Sequence, residues 1–397
     1  MIRQFPIDEH ASPKRRRPRR FRLRYLLLPL LLIGISFISL PDGKGGSEVI
    51  PAAQSTLSRG DLGRIDRETI ERCNLTIRPD MQQFIAGTAE RYKMYYGTIV
   101  VMDARTGDIL AMYGRGTQGE DCTLCLEANH AASVFKIVTA VAAMEQGGYT
   151  GNSVFTYTGS AHTLYRHQLV NRNDRWTADV TLADAFAHSN NVVFAKIGTI
   201  YLGETPIILT AMKMGFWQSP LREIECSPST MFFPENDYNL AELTSGFNRQ
   251  TKITPVHAAQ MVSAAVNNGQ MVTPRIIRGG HVEKVSVMSE NTAHHLASMM
   301  ERTIRCGTVS KEFRNCRSDR VLRDITIGAK SGSIDGDEPM GRRNWFVGFA
   351  RNDAGDAIAI GCLLVLDARY WIQADTLSRL IIRHYFSSRS ASVAQNN

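Results

Sequence analysis

The stretch "AASVFKIVTA" (residues 131–140) is apolar enough for a buried helix, yet it carries Ser133 and Lys136. Residues three apart share a helix face, so a helix here sets a hydroxyl one turn from an amine. A lysine in that position either snorkels to water or gives up its proton, because burial disfavours the charged form. The apolar run predicts a helix over 132–146, stopped by Gly147-Gly148. Taken alone, the pair fits a surface serine beside a solvated lysine. The surrounding sequence decides between the two readings.

"GTIVVMDARTGDILAMYGRG" (97–116) holds two β-type runs around "ARTGD", a hairpin pattern. Residues 150–180 read as strands and loops, and 180–203 as two helices broken at 188–191. "ITPVHAAQMVSAAVNNG" (253–269) is a helix with Pro255 near its start. Three strand patterns follow at 325–334, 344–351 and 357–366, then an amphipathic helix at about 371–386. Strands at both ends with helices between them predict an α+β fold: an antiparallel sheet flanked by helices and closed by both ends of the domain.

The 397 residues are 43% hydrophobic and 21% charged, the balance of a packed protein. The net charge of +8 sits almost wholly in residues 1–24, where nine Lys/Arg face Asp8 and Glu9. The remainder is close to neutral, which argues against nucleic acid as a partner. "YLLLPLLLIGISFISL" (25–40) carries no charge. Its sixteen residues make a helix of about 24 Å, and flanking residues or snorkelling arginines extend it to the ~30 Å of a bilayer core. No small-x-small cleavage pattern follows directly. The expected organisation is a basic cytoplasmic tail (1–24) and a single-pass signal anchor (25–40). A linker or stalk (41–74), an exported domain (75–388) and a disordered tail (389–397) follow. Of seven cysteines, Cys306 and Cys316 are spaced to close a short loop, Cys122 and Cys125 form a CxxC, and Cys362 lies in an apolar strand. A second CxxC and a histidine pair at ligand spacing are missing, so no metal site is expected. Trp176, Trp217 and Trp345 read as packing residues, and no role is assigned to the ten histidines.

Two short motifs change the weight of Ser133-x-x-Lys136. Ser189-Asn190-Asn191 falls at the break between two helices, and Lys330-Ser331-Gly332-Ser333 falls on the first C-terminal strand. A second Ser-x-Asn, Ser289 to Asn291, opens a helical stretch and reads as an N-cap. Ser-x-x-Lys, Ser-x-Asn and Lys-[Ser/Thr]-Gly in that order are the set of penicillin-binding proteins and class A β-lactamases. Most of residues 75–386 resembles the transpeptidase domain of high-molecular-weight penicillin-binding proteins. "LTIRPDMQ", "VVMDARTGDILAMYG", "TLADAFAHSNN", "ITPVHAAQMVSAAVNNGQMVTPRI" and "NWFVGFA" carry that wider likeness. Two departures stand out: Ser331 and Ser333 replace the usual threonines, and Ala131-Ala132 replaces a frequent Pro-Gly.

The resemblance implies acyl transfer through a serine ester, with no cofactor. Ser133 is the nucleophile and Lys136 its base, with Lys330 a nearby cation that lowers the pKa of Lys136. Ser189 relays a proton to the leaving amine, and Asn191 orients the substrate amide. Lys330 and Ser331 grip the terminal carboxylate, with Gly332 in the same substrate-binding strand. The backbone N–H groups of Ser133 and Ser333 form the oxyanion hole. The implied activity is D,D-transpeptidation of peptidoglycan stem peptides, with β-lactams acylating the same serine. Alternatives on the same fold are a D,D-carboxypeptidase or endopeptidase, a β-lactamase, or a non-catalytic β-lactam sensor. Residues 41–96 are too few for a glycosyltransferase domain or a full pedestal. The expectation is a catalytic domain close to the periplasmic face of a bacterial inner membrane, served by a separate glycan polymerase.

Overall fold

The structure, a computed structural model, describes residues 57–366 and 372–395. The expected basic tail and anchor lie outside them. The principal elements, in chain order, begin with helix α1 (Pro79–Arg91) and strands β1 (Tyr96–Asp103) and β2 (Ile109–Gly116). A 3₁₀ turn (Ala132–Phe135) leads into α2 (Lys136–Glu145). Next come β3 (Val154–Thr158), β4 (Thr177–Thr181), α3 (Leu182–Ala187) and α4 (Asn191–Lys196). Helices α5 (Asp237–Ser245), α6 (Pro255–Val266) and α7 (Glu290–Arg305) precede strands β5 (Thr326–Asp337), β6 (Met340–Arg351) and β7 (Ala357–Leu366). Helix α8 (Ala374–Gln395) ends the described chain.

The central sheet runs β5-β6-β7-β1-β2, all antiparallel, with the two-residue strand Gly119–Glu120 on the far edge. This is the α+β sheet expected from the pattern, with β7 and β1 joining its two halves. "AIAIGCLLVL" shows no polar alternation because helices cover both faces of β7. Gly361 approaches α6 so closely that a Cβ would stand 2.1 Å from the Pro255 carbonyl oxygen. The next residue, Cys362, points the other way, toward Ser378 of α8. Successive residues of a strand face opposite sides, so α6 and α8 sandwich the sheet.

Two boundaries differ from expectation. Residues 57–74, expected as stalk, belong to the fold: Leu62, Ile65 and Ile70 are buried in the main core. A short helix there, Arg67–Arg72, is capped by Asp66, whose carboxylate accepts from the Thr69 N–H. Sparse apolar residues among charges hid this segment. At the other end α8 continues to Gln395 through the tail expected to be disordered. "SRSASVAQ" holds neither Gly nor Pro to stop a helix.

All seven cysteines are unpaired, including Cys306 and Cys316. Cys122 and Cys125 are fully buried. Burial pushes the Cys122 thiol up to about 11 and that of Cys125 well above its usual value. Both are packing residues, and Cys125 Sγ donates to the Tyr113 carbonyl at 3.2 Å. Trp345 is buried and its indole donates to the His130 carbonyl at 2.8 Å. Trp176 does not pack as expected; it is 64% exposed.

Candidate active site

The three motifs converge on one cleft. Ser133 sits in the 3₁₀ turn at the head of α2, where backbone N–H groups have no partner within the helix. Ala132 just before it has φ +48°, a left-handed conformation costly for a residue with a Cβ. This is the position where the family often carries glycine. The packing around it holds this strained turn, which presents the serine.

Lys136 follows one turn later and is fully buried. Its Nζ lies 2.8 Å from Ser133 Oγ, 2.8 Å from Asn191 Oδ1 and 2.6 Å from the Ser245 carbonyl oxygen. Burial and then Lys330 hold its pKa well below the usual lysine value, and no carboxylate opposes them. The partners limit where its protons can go. The carbonyl of Ser245 accepts only, and so does Asn191 Oδ1, because the Asn191 amide nitrogen donates to the His162 carbonyl at 3.0 Å. A neutral amine has two N–H groups and one lone pair. In the neutral form the two acceptors take the N–H groups and leave the lone pair for the Ser133 hydroxyl, whereas an ammonium donates to all three oxygens.

The break between α3 and α4 is local chemistry. Asn190 caps α4 by accepting from the Val193 N–H, and Ser189 turns at φ +56°. That turn sends Ser189 Oγ to Lys330 Nζ at 3.0 Å. Lys330, on β5, is fully buried, and burial lowers its pKa to about 7. It also donates to the Ser331 carbonyl at 2.7 Å.

Strand β5 is the sheet edge beside the turn that carries Ser133. A Cβ on Gly332 would stand 3.2 Å from Val134 Cγ2 and 3.4 Å from the Ala131 carbonyl oxygen. Gly332 therefore brings the strand against the serine-bearing turn. Ser331 Oγ pairs with Thr308 Oγ1 at 2.5 Å. Ser333 is exposed, and its hydroxyl accepts from Arg342 Nε. Ser133, Ser189, Asn191, Ser331, Gly332 and Ser333 line one cleft of about 560 Å³, with Lys136 and Lys330 beneath its wall. Every residue expected at the site is thus in or under the same cleft.

The pattern reading missed several cleft residues. Ser245 and Gly246 end α5, and Gly246 has φ +65°. A Cβ on Gly246 would lie 2.1 Å from the Ala132 carbonyl oxygen, so the helix end abuts the turn that carries Ser133. A glycine after a helical run is a C-cap signal, but nothing local says what it touches. Thr308, His162 and Arg342 also line the cleft. The spacing Glu235 to Asn239 matches the E-x-x-x-N of class A β-lactamases, yet Glu235 is exposed and neither residue lines the cleft.

Comparison with known proteins agrees with this geometry. Residues 97–373 match the family model described as the penicillin binding protein transpeptidase domain. Penicillin-binding protein PbpB of Mycolicibacterium smegmatis is 26% identical over 295 residues, which cover 66% of this chain and 43% of that protein. Stage V sporulation protein D of Bacillus subtilis is 23% identical over 167 residues, 38% of this chain and 24% of that protein. The chain therefore spans less than half the length of these two curated relatives. The fold is shared with the TP domain of Burkholderia pseudomallei penicillin-binding protein 3 (TM-score 0.64, 17% identity, 80% of this chain and 96% of that one). It is also shared with penicillin-binding protein A of M. tuberculosis, solved as a ceftriaxone acyl-enzyme complex (TM-score 0.62, 20% identity, 79% and 78%). The chain belongs to the penicillin-binding protein transpeptidase family.

Proposed function

We propose that this chain is a D,D-transpeptidase that cross-links peptidoglycan stem peptides through an ester on Ser133, and that β-lactams acylate the same serine. The observation that carries the reading is the nitrogen of a fully buried lysine 2.8 Å from the Ser133 hydroxyl oxygen. Serine is a poor nucleophile without an adjacent base, and Lys136 has the position and the lowered pKa of one.

In the first half-reaction Ser133 Oγ attacks the carbonyl carbon of the D-Ala-D-Ala bond while its proton passes to Lys136 Nζ. The oxyanion is met by the backbone N–H groups of Ser133 and Ser333. The C–N bond breaks, and the proton taken up by Lys136 passes through Ser189, held by Lys330, to the departing amine. An incoming stem-peptide amine then attacks the ester, and its proton returns along the same route to Ser133. Lys330, Ser331 and Thr308 receive the substrate's terminal carboxylate. That anion favours the charged form of Lys330, which in turn disfavours protonation of Lys136. Substrate binding and base activation are therefore coupled in sign.

The same reading proposes that residues 25–40 anchor the chain in a bacterial inner membrane with the catalytic domain outside, working beside a separate glycan polymerase. Among the described residues no single helix is long and apolar enough to cross a membrane.

The test is labelling of the full chain with fluorescent penicillin. Wild type is expected to form a lasting adduct and Ser133→Ala none. An adduct lost within seconds identifies a β-lactamase, and an unlabelled wild type overturns the serine-ester reading. Supplying a stem-peptide donor with and without an amine acceptor separates transfer from hydrolysis.

A further inference from the structure

Residues 159–176 join β3 to β4 as a flap that begins at the cleft and ends on the surface. Its inner half is pinned to the site. The Asn191 N–H donates to the Ala161 carbonyl at 2.7 Å, and His162 lines the cleft. Leu164 is buried against Ala195 and Ala241, and its carbonyl accepts from the Tyr238 hydroxyl at 2.9 Å. The flap is thus a fixed part of the cleft rim.

Its outer half has a different composition. Tyr165, Val170 and Trp176 are 56%, 55% and 64% exposed. The Arg175 guanidinium lies 4.9 Å from the Trp176 ring centre, and that of Arg166 lies 4.7 Å from the Tyr238 ring. Arg172 adds a third cation against one acid, Asp174. Asp174 is spent locally, accepting from the Trp176 N–H at 2.9 Å and from Thr177. Among the described residues, the ring contact recorded for Trp176 is that with Arg175, and most of its surface faces solvent.

Distance ties this patch to the cleft. The Gly159 N–H donates to the Trp176 carbonyl at 3.2 Å. From Gly159 to His162 on the cleft wall is three residues, at most about 11 Å of chain. On the transpeptidase reading a peptide seated in the cleft is attached to a polymer that has to leave the cleft, and the flap lies at its rim.

We propose that the outer flap binds the glycan strand that carries the stem peptide. Trp176 offers an aromatic face to a sugar ring, and Arg172 and Arg175 meet the carboxylates of uncleaved stem peptides along the strand. This rests on the transpeptidase reading for the identity of the polymer. It adds a subsite outside the three motifs, selecting polymer over short peptide.

The experiment is co-sedimentation of the full chain with purified peptidoglycan sacculi, for wild type, Trp176→Ala and the double variant Arg172→Gln/Arg175→Gln. All three positions are exposed, so folding is undisturbed, and penicillin labelling of Ser133 is expected to proceed at the wild-type rate. Trp176→Ala is expected to retain about one fifth of the wild-type binding or less. The double variant is expected to lose the salt dependence of binding. Equal sedimentation of all three proteins overturns the proposal. So does Trp176-dependent capture by anionic phospholipid vesicles with none by sacculi, which makes the patch a membrane contact. A wild type that binds sacculi through Trp176 but is not labelled by penicillin overturns the transpeptidase reading and leaves the subsite standing.

Discussion

Replacing Asn191 by Asp tests whether Lys136 works as a neutral base. The exchange is isosteric and puts a full negative charge where an amide oxygen now lies, 2.8 Å from Lys136 Nζ. At that distance and an effective dielectric of ~20, the attraction is about 6 kcal/mol, which is a ceiling because the new carboxylate is itself desolvated. Opposite charges in contact shift a pKa by roughly 1–3 units in practice. The direction is upward, since the anion favours the ammonium. It opposes burial and Lys330, which hold the pKa down in the wild type. Above the assay pH each unit removes about tenfold of the neutral amine, so acylation at pH 7 should slow by about tenfold for every unit by which the raised pKa exceeds 7, up to ~1,000-fold. The assay is stopped-flow acylation by a fluorescent penicillin from about pH 6 to pH 10, with Asn191→Ala as the uncharged control. Asn191→Asp should recover with unit slope as pH rises, while Asn191→Ala, lacking only the amide, should show a deficit independent of pH. An Asn191→Asp deficit as flat as that of Asn191→Ala would refute the neutral-base argument.

Gly246→Ala forces a Cβ to within 2.1 Å of the Ala132 carbonyl at φ +65°, so stability should fall by about 2 kcal/mol or more and penicillin labelling should drop with it. Thermal melts and labelling rates check both halves. Thr308→Val removes the partner of the Ser331 hydroxyl; at a net ~1 kcal/mol the affinity for a carboxylate-bearing β-lactam should fall about fivefold, with no change for the corresponding ester. Lys330→Met should flatten the rise of stability with pH. Lys330 has its pKa lowered to about 7 in the folded protein, from a reference value of 10.5. Between those values the unfolded chain holds the extra proton, so the wild type gains stability as pH rises through that window and the variant gains less. Melting temperatures from about pH 7 to pH 10 decide it; parallel curves would show that Lys330 stays charged in the fold.

Much of the architecture is local in origin and so legible. The turn around Gly107 between two β-branched runs, the Asn190 cap that splits α3 from α4, and the unbroken apolar run of β7 each depend on neighbours within a few residues. What the pattern missed depends on distant partners. Cys306 and Cys316 are close in sequence, yet the fold leaves one thiol exposed and the other half-buried with no bond between them. Trp176 shares its composition with any buried tryptophan, and only the path of the flap puts it in solvent. Residues 57–74 lack a strong apolar period, and their burial comes from the core that receives them.

The pair that opens the site shows where this division falls. That Ser133 and Lys136 touch follows from helical spacing alone. Whether the lysine is an ammonium or an amine does not. A lysine with water around its Nζ would satisfy the same spacing and do no chemistry. The state is set by what the fold packs around the nitrogen: burial and then Lys330 lower its pKa. The Asn191 amide oxygen and the Ser245 carbonyl, from 55 and 109 residues away, hold the nitrogen in place and bring no full negative charge. Identity and order of the motifs select the family. The proton count on one nitrogen, on which catalysis turns, is a property of the assembled tertiary structure.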